Sequence, residues 1–327
     1  MAGPSSSSVG TEKNNGNGNG LLLYQYYPSY YSQKVVFAFN EKKLKFKSHI
    51  VDLHRGEQYE PSFLKLNPKG EVPVLKDGVK IIPDSRRIID YVEDNFSNGN
   101  TPRLIPEKGS PQFQTMERMR DLLDNIPNEL ITFGCLLNPE LTGKIRMSPQ
   151  EIKFRQGFYA SHLSLLNEFS EKHNDFKDYY LVKKNSLEKR RNAALDKNEV
   201  EKGLLDLEYA LKEVEKLLST HDKEKKSWLC CEKFTIADIS LCVLLNRMKL
   251  LGLCDKYFKD NQFSNLQEYF KRAQQRDSFR RTMNQTSSLL KPFSCLDTKD
   301  QVLVTIGGVA IVLCAAGVAA FLIQRKK

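Results

Sequence analysis

The chain has 327 residues, 28% of them charged and 40% hydrophobic, so it is long enough for two packed domains and too apolar for a disordered protein. Its net charge of +10 arises from basic residues that are mostly interleaved with acidic ones, which argues against a nucleic-acid partner. The seven cysteines and five histidines show no repeated or metal-ligand spacing, so we expect neither a disulfide framework nor a metal site.

The first 98 residues begin with a polar segment and continue as a predicted α/β domain. Residues 1–20 are mainly Ser, Gly and Asn, which predicts a disordered tail without a secretory signal. From residue 21 to 98 the pattern predicts strands and helices in the order βαβαββα. The segments are a strand at Leu21–Tyr26, a helix after Pro28-Ser29, a strand near Phe46–Ile50, a short helix at Pro61–Leu66, a hairpin turned at Asp77-Gly78 with a second strand at Val79–Ile82, and a helix from Asp84 to about Asn95.

Three short motifs in this domain carry candidate chemistry. Ser29 stands at the predicted start of the first helix, in SYYSQKV; Pro73 lies in NPKGEVPVL ahead of the hairpin; and Asp84-Ser85 open the third helix. Their spacing alone explains Ser29 and Asp84 equally well as helix N-caps. A hydroxyl at the positive end of a helix dipole also favours a thiolate over a thiol, so Ser29 is a candidate for activating a sulfur nucleophile.

The element order and these motifs resemble the thioredoxin-like domain of glutathione transferases. The resemblance implies a cis peptide bond before Pro73, and it implies that Val72 offers its backbone N–H and C=O to the cysteinyl part of glutathione. In that family Ser29 would be the catalytic residue that stabilises the thiolate. Asp84 and Ser85 would hold the γ-glutamyl amino and carboxylate groups. Glutathione is therefore the expected substrate or ligand.

Two features depart from the pattern of that family. Arg87 stands where the family usually has a small alanine, and the sequence offers no clear partner for the glycyl carboxylate of glutathione. These departures favour a protein that retains the transferase scaffold but does not catalyse glutathione transfer.

After the linker Gly99–Pro106, residues 107–290 are predicted to be helical almost throughout. Thr235 and Asp238, in FTIAD, form an S/T-x-x-D capping pattern ahead of an apolar helix, and this motif resembles the F-[ST]-x-A-D motif of transferase C-terminal domains. A stripe of apolar residues at roughly helical spacing indicates core packing near the start of this domain. The stripe consists of Phe113, Met116, Met119, Leu122 and Leu123.

Residues 139–200 form a stretch that ordinary transferases lack at this point. The stretch ends in the basic, polar segment KKNSLEKRRNAALDKNEVEK, whose charge pattern predicts long exposed helices. We expect an arm that binds a partner protein or approaches an anionic lipid surface.

Near the end of the chain, residues 302–323 form a run of 22 residues without a charge. At about 1.5 Å per residue, such a helix spans the roughly 30 Å hydrocarbon core of a bilayer. Lys299 and Asp300 precede the run and three basic residues end the chain, so both ends can lie among polar headgroups. The run therefore predicts a transmembrane anchor, inserted after translation, with the bulk of the chain facing the cytosol. The alternative, a buried core helix, would rarely be this long without a charge.

The combination of transferase-like halves, insertion and C-terminal span resembles the ganglioside-induced differentiation-associated protein 1 family. The motifs SYYSQKV, GEVPVL, IIDY and WLC-x-x-x-FT-x-AD appear in order. The resemblance implies an α/β plus all-α fold, with a thioredoxin-like N-terminal domain, a helical transferase C-terminal domain and a C-terminal transmembrane helix. It also implies residence on the mitochondrial outer membrane and an influence on mitochondrial fission, network dynamics and redox balance. The moderately apolar span with its short basic tail resembles anchors of that membrane, which are sometimes shared with peroxisomes.

Two functions remain open. The chain is either a regulator built on a transferase scaffold or an active transferase that conjugates glutathione to electrophiles at a membrane surface. Ser29 and Asp84-Ser85 favour the enzyme, whereas Arg87 and the insertion favour the regulator. The expected partners are membrane lipid through residues 302–323, a second copy of the chain, and proteins of mitochondrial dynamics or of the cytoskeleton.

Overall fold

The computed structural model describes residues 20–97, 101–222 and 227–284, and the backbone of residues 301–306 and 309–314. The predicted tail of residues 1–20 lies outside the described residues, apart from Gly20. The chain divides into two compact units, residues 1–280 and residues 281–327. The first unit holds both the α/β part and the helical part of the fold.

The N-terminal part is a four-stranded sheet with three helices. Its elements are β1 (Leu21–Gln25), α1 (Tyr30–Glu41), β2 (Lys47–Ile50), α2 (Pro61–Leu64), β3 (Val74–Asp77), β4 (Lys80–Pro83) and α3 (Ser85–Asn95). The strand order is β2-β1-β3-β4, in which β1 is parallel to β2 and antiparallel to β3, and β3 and β4 form a hairpin. Leu21 and Leu23 of β1 and Val35, Phe37 and Phe39 of α1 are buried in its core. The predicted thioredoxin-like order βαβαββα is confirmed.

The helical part follows. Its helices are α4 (Pro111–Asp124), α5 (Asn128–Leu137), α6 (Pro149–Lys172), α7 (Lys177–Leu195), α8 (Lys197–Ser219), α9 (Ile236–Leu250), α10 (Leu253–Tyr257) and α11 (Ser264–Gln274), and residues 277–284 form a further helical segment. Helix α9 is central, since 12 of its 15 residues are buried and it packs against α1, α4 and α11. Met116, Met119 and Leu123 of α4 are fully buried, which confirms that the apolar stripe there is core.

The start of α9 depends on the Asp238 carboxylate, which is wholly buried. The Thr235 backbone N–H and hydroxyl donate to its Oδ2, and the Leu229 N–H and the Tyr269 hydroxyl donate to its Oδ1, each at 2.7 Å. Thr235 and Asp238 also form the reciprocal capping box that the sequence predicts. One side chain therefore joins the turn before α9, the helix itself and α11.

The insertion of residues 139–200 contains the whole of α6 and α7, which confirms the predicted long helices, but one face of each helix is packed on the rest of the fold, so the insertion is not a free arm. These helices pack against each other and against the segment between β2 and β3. The core that they share contains Tyr59, Leu64, Tyr159, Leu166, Phe169, Tyr180, Leu187 and Ala194. The charged residues of 183–191 suggested a solvent-exposed helix. The buried side chains of α7 nevertheless recur at helical spacing, at Tyr180, Leu187 and Ala194.

His162 of α6 lies at the contact between the insertion and the N-terminal part. His162 is 1% exposed, and its Nδ1 is hydrogen-bonded to the Tyr59 hydroxyl at 2.9 Å and to the Gln58 side-chain amide at 3.3 Å. Burial lowers the pKa of His162 to about 4, and nearby basic groups act in the same direction. The ring is therefore neutral near pH 7.

Ion pairs join the α/β part to the helical part. Lys34 of α1 pairs with Asp124 of α4, and their side chains are only 4% and 16% exposed. Arg276, beyond α11, donates to the Glu41 carboxylate at the end of α1 through two hydrogen bonds, of 2.8 and 2.7 Å. Removing one partner of a buried pair costs about 3–5 kcal/mol, because the other charge is left without compensation. These pairs therefore hold the two parts in one compact unit.

The second unit contains two short antiparallel strands, β5 (Gln301–Ile306) and β6 (Val309–Cys314). They coincide with the first part of the predicted helix 302–323, and the rest of that stretch lies outside the described residues. The β-branched Val, Ile and Thr residues of this segment favour a strand. Among the helices that the structure describes, none has both the length and the apolar composition needed to cross a bilayer.

We predict that Asp238→Ala lowers the free energy of unfolding by about 3 kcal/mol or more, because it leaves the Leu229 N–H, the Thr235 N–H and the Tyr269 hydroxyl buried without their acceptor. Chemical denaturation of the full chain measures the change. Asp206→Ala on the exposed face of α8 is the matched control, for which we expect a change below about 0.5 kcal/mol. Equal stability of the two variants would contradict the role of this cap.

We predict that the chain loses stability as the pH falls from 6.5 towards 4. The pKa of His162 is lower in the folded state than in the unfolded state, so the unfolded state binds more protons across this window and the loss approaches about 3 kcal/mol. His162→Gln retains a partner for Tyr59 but does not titrate, so this variant flattens the pH dependence of the unfolding midpoint. The same change at the exposed His49 leaves the slope in place. An unchanged slope in His162→Gln would show that the ring does not carry the effect.

Candidate functional site

A cleft of about 680 Å³ opens between the N-terminal part and helices α5, α6, α7 and α9. The residues predicted for the site all line this cleft: Ser29, Val72, Pro73, Asp84 and Ser85. They meet because β1 and β4 both run antiparallel to β3, with Tyr24 and Pro83 each paired to Val74. The ends of β1 and β4 and the start of β3 therefore lie at one edge of the sheet, and the loops that leave this edge carry the site.

Ser29 is the N-cap of α1, and its Oγ accepts the backbone N–H of Ser32 at 3.3 Å. This confirms the capping interpretation, but it uses only the acceptor capacity of the hydroxyl, whose hydrogen can be donated to a ligand. Ser29, Tyr30 and Tyr31 all line the cleft, so the positive end of the α1 dipole lies there. The hydroxyl and the helix terminus together are suited to stabilising a thiolate.

The peptide bond between Val72 and Pro73 is cis, as the resemblance implied. The loop before it is held by Asn67, which accepts from the Lys69 N–H at 3.1 Å and donates to the Glu71 carbonyl at 2.7 Å. Within the described residues, the Val72 N–H and C=O have no backbone partner. They are therefore available to pair with an extended peptide ligand, as one more strand would.

Asp84 adopts a backbone conformation that non-glycine residues rarely adopt, with φ 78° and ψ 129°. Such a conformation costs of order 1–3 kcal/mol and tends to be retained where a ligand is held. Asp84 Oδ1 accepts the N–H groups of Arg86 and Arg87 at 2.9 and 3.2 Å, which offsets part of that cost and leaves Oδ2 for a ligand amine. The next residue, Ser85, is 5% exposed at the N-terminus of α3, a position that suits a carboxylate.

Helix α7 brings two basic residues to the cleft that the sequence did not assign to the site. Lys183 Nζ donates to the Lys69 carbonyl at 2.7 Å and to Glu71 Oε1 at 2.9 Å. Arg190 donates to Glu129 Oε2 of α5 at 2.9 Å. The N-terminal motifs lacked a basic partner for the glycyl carboxylate, and the insertion supplies basic groups in the same cleft.

Gly70 permits the close approach of α7 to this loop. Its φ of 59° lies in the left-handed region, and the Tyr179 hydroxyl of α7 occupies the space that a Cβ would need. A larger residue would therefore have to displace the Tyr179 side chain from the loop. The contact brings Lys183, one turn further along α7, within reach of the backbone next to Val72.

Aromatic side chains from α5 and α6 form a further wall of the cleft. The Phe133 and Phe158 rings are stacked with centroids 4.9 Å apart, and the Phe158 ring lies 3.9 Å from the His162 ring. Phe154 lines the cleft beside them. Phe154, Phe158 and His162 recur every four residues along α6, a signal in the sequence that could have assigned the insertion to the site.

Two models of the glutathione transferase fold match the chain. The glutathione S-transferase N-terminal domain matches residues 23–101, and the glutathione S-transferase C-terminal domain matches residues 163–281. Among solved structures, the β-etherase LigF from Sphingobium sp. strain SYK-6 has a TM-score of 0.59 at 21% identity and covers 81% of this chain and 99% of its own. A glutathione transferase from Phanerochaete chrysosporium, solved with oxidized glutathione, has a TM-score of 0.55 at 19% identity and covers 83% of this chain and 97% of its own.

The curated relatives are more similar in sequence. The human ganglioside-induced differentiation-associated protein 1-like 1 is 35% identical over 277 residues, which cover 83% of this chain and 75% of that protein. The mouse protein of the same name is also 35% identical, over 280 residues with the same coverage. The chain therefore belongs to the ganglioside-induced differentiation-associated protein 1 family, whose members share the glutathione transferase fold described above.

Proposed function

We propose that the chain is a glutathione-binding protein of the mitochondrial outer membrane that regulates mitochondrial fission, network dynamics and redox balance. The observation that carries the binding is the convergence of Ser29, Val72, Asp84 and Ser85 on one cleft. Membership of the family supports the cellular role. The bulk of the chain would face the cytosol, and peroxisomes are a second proposed location.

Each polar group of glutathione has a complementary group in the cleft. The cysteinyl backbone pairs with the free N–H and C=O of Val72. The γ-glutamyl ammonium group faces Asp84 Oδ2, and its carboxylate faces Ser85 at the start of α3. The thiol then lies near Ser29, and Lys183 is the basic residue next to the loop for the glycyl carboxylate.

Two ion pairs favour a regulator over a fast enzyme. Lys183 ties α7 to Glu71 of the N-terminal part, and Arg190 ties α7 to Glu129 of α5. Both pairs lie at the cleft, and the Lys183–Glu71 pair links its helical wall to the N-terminal part, which suits retention of a ligand more than rapid exchange of substrate and product. We propose that the chain with glutathione bound contacts a second copy of itself and proteins of mitochondrial dynamics or of the cytoskeleton.

Residues 302–323 are the proposed membrane anchor. A two-stranded unit such as β5–β6 has two edges of unpaired backbone groups, which hydrocarbon cannot satisfy. A helix satisfies these groups internally, so we propose that this uncharged stretch is helical in a bilayer. The basic residues at its end then lie in the headgroup region.

A second candidate function is glutathione transfer to an electrophile. The observation in its favour is the position of the Ser29 hydroxyl and of the α1 N-terminus in the same cleft as the aromatic wall of Phe133 and Phe158. A thiolate near Ser29 could attack an electrophile held against that wall. This reaction needs no group beyond those in the cleft.

We predict that the full chain binds glutathione at or below millimolar concentration in isothermal titration. Asp84→Asn retains the cap on α3 but loses the charge that faces the γ-glutamyl ammonium, so we expect its affinity to fall at least about tenfold. Asp121→Asn, an exposed carboxylate on α4, is the matched control and retains the affinity. Absence of binding at millimolar glutathione would contradict the proposal that glutathione is the ligand.

Ser29→Ala separates the two candidate functions in the same titration. Its affinity for glutathione stays close to that of the native chain, because the backbone and γ-glutamyl contacts remain. If the chain is a transferase, the pKa of the bound thiol rises in this variant and conjugation slows, both measurable by thiolate absorbance against pH. Conjugation at an unchanged rate would remove Ser29 from the catalytic role.

We predict that deletion of residues 301–327 releases the chain from membranes. The full chain stays with the membrane pellet in alkaline carbonate, because removing the apolar stretch from lipid is costly, and the truncated chain moves to the supernatant. Deletion of residues 1–19 is the control and leaves the chain in the pellet. The effect on mitochondrial shape disappears with the anchor, and an undiminished effect from the truncated chain would contradict this role.

A further inference from the structure

One wall of the cleft contains a buried guanidinium group without an acidic partner. Arg247 of α9 is 4% exposed and lines the cleft. It donates to Thr132 Oγ1 at 3.2 Å and to the Pro28 carbonyl at 2.9 Å, and both acceptors are neutral. Its Nε–H is buried without an acceptor, and within the described residues Arg247 forms no ion pair.

This arrangement is costly unless an anion completes it. An unpaired charge in a protein interior costs several kcal/mol, and proteins usually compensate it with a carboxylate. Burial is the main cause that lowers the pKa of Arg247 to about 9, and the charge of the neighbouring Arg155 contributes to the same shift. The group is still protonated near pH 7, so the cleft carries its charge under ordinary conditions.

The neighbouring charges leave a net positive charge at this point. Arg155 of α6 is 8% exposed and binds the Glu151 carboxylate at 2.9 Å. Arg155 therefore has a carboxylate partner, whereas Arg247 has none among the described residues. Asp124, a carboxylate of α4 beneath α1, is already bound to Lys34. The guanidinium group of Arg247 therefore remains as the uncompensated positive charge that an anion can bind.

The surroundings of Arg247 also indicate the shape of the ligand. Thr132, which accepts from Arg247, precedes Phe133 in α5, and Arg155 follows Phe154 in α6. The phenylalanines line the cleft and form part of its aromatic wall. A flat apolar group can therefore lie on that wall while its charged end faces the two arginines.

We infer that Arg247 and Arg155 form an anion subsite beside Ser29 that takes the carboxylate of a small aromatic second ligand. Pro28, which holds Arg247 through its carbonyl, is the residue next to Ser29, so the carboxylate is held close to the expected position of the thiol. The inference deepens the proposed function and rests on it, since it names the class of ligand that shares the cleft with glutathione.

The test compares benzoate with its uncharged isostere benzamide in isothermal titration of the full chain in detergent. We expect benzoate to bind about tenfold more tightly than benzamide, because hydrogen bonds to a charged group are stronger than those to a neutral one. Arg247→Gln removes this preference, whereas Arg247→Lys retains part of it. Arg146→Gln, an arginine outside the cleft that binds Asp255, is the matched control and keeps the full preference.

A purely structural role for Arg247, tying α9 to Pro28 and Thr132, predicts equal affinity for the two compounds in the native chain. That result overturns the inference even if Arg247→Gln fails to fold. If it does fail to fold, Arg155→Gln replaces it, and an undiminished preference for benzoate in that variant also counts against the shared subsite.

A glutathione titration of the same samples separates this inference from the proposed function. Glutathione binding without a preference for benzoate leaves the proposed ligand in place and removes the anion subsite. A preference for benzoate without glutathione binding supports the subsite and removes the proposed ligand. In the supporting case, Arg146→Gln still binds glutathione like the native chain, because Arg146 lies outside the cleft and binds Asp255.

Discussion

The packing of α6 and α7 against the segment between β2 and β3 determines the form of the cleft. A transferase-like core without these helices would leave the loop that precedes Val72 open to solvent. Here Tyr59 and Leu64 share one apolar core with residues of both helices, and the Tyr59 hydroxyl is hydrogen-bonded to His162. Because this contact is apolar, dense and hydrogen-bonded, the insertion behaves as part of the fold and forms one wall of the site.

Charge is distributed unevenly around that wall. Lys183 and Arg190 each have a carboxylate partner, so these pairs contribute to closure of the cleft and add little net field. Arg247 differs because its acceptors are neutral and its burial is nearly complete. In a medium of low dielectric constant, one uncompensated charge outweighs several paired ones, so this residue dominates the electrostatics that an incoming ligand meets.

The sequence predicted the N-terminal part well because local rules decide it. Period-two strands, the hairpin at Asp77-Gly78 and the motif around Pro73 depend on neighbouring residues, and the same holds for the capping pattern of Thr235 and Asp238. The helices of the insertion could be predicted, but their packing could not, because it depends on contacts with Tyr59, which is far away in the chain. The charged residues resemble a solvated surface, and an inward face was indicated only by the spacing of Phe154, Phe158 and His162 in α6 and of the buried residues in α7. The contribution of Arg247 could not be predicted, since an isolated arginine in an apolar helix gives no sign of its partners.

The contact between Gly70 and Tyr179 limits which residues this loop accepts. A Cβ at position 70 would overlap the tyrosine hydroxyl, and the backbone there has a positive φ that residues with a side chain disfavour. The position is therefore restricted twice, by its own backbone conformation and by a helix that lies far along the chain, so tolerance to substitution in this loop depends on a distant segment.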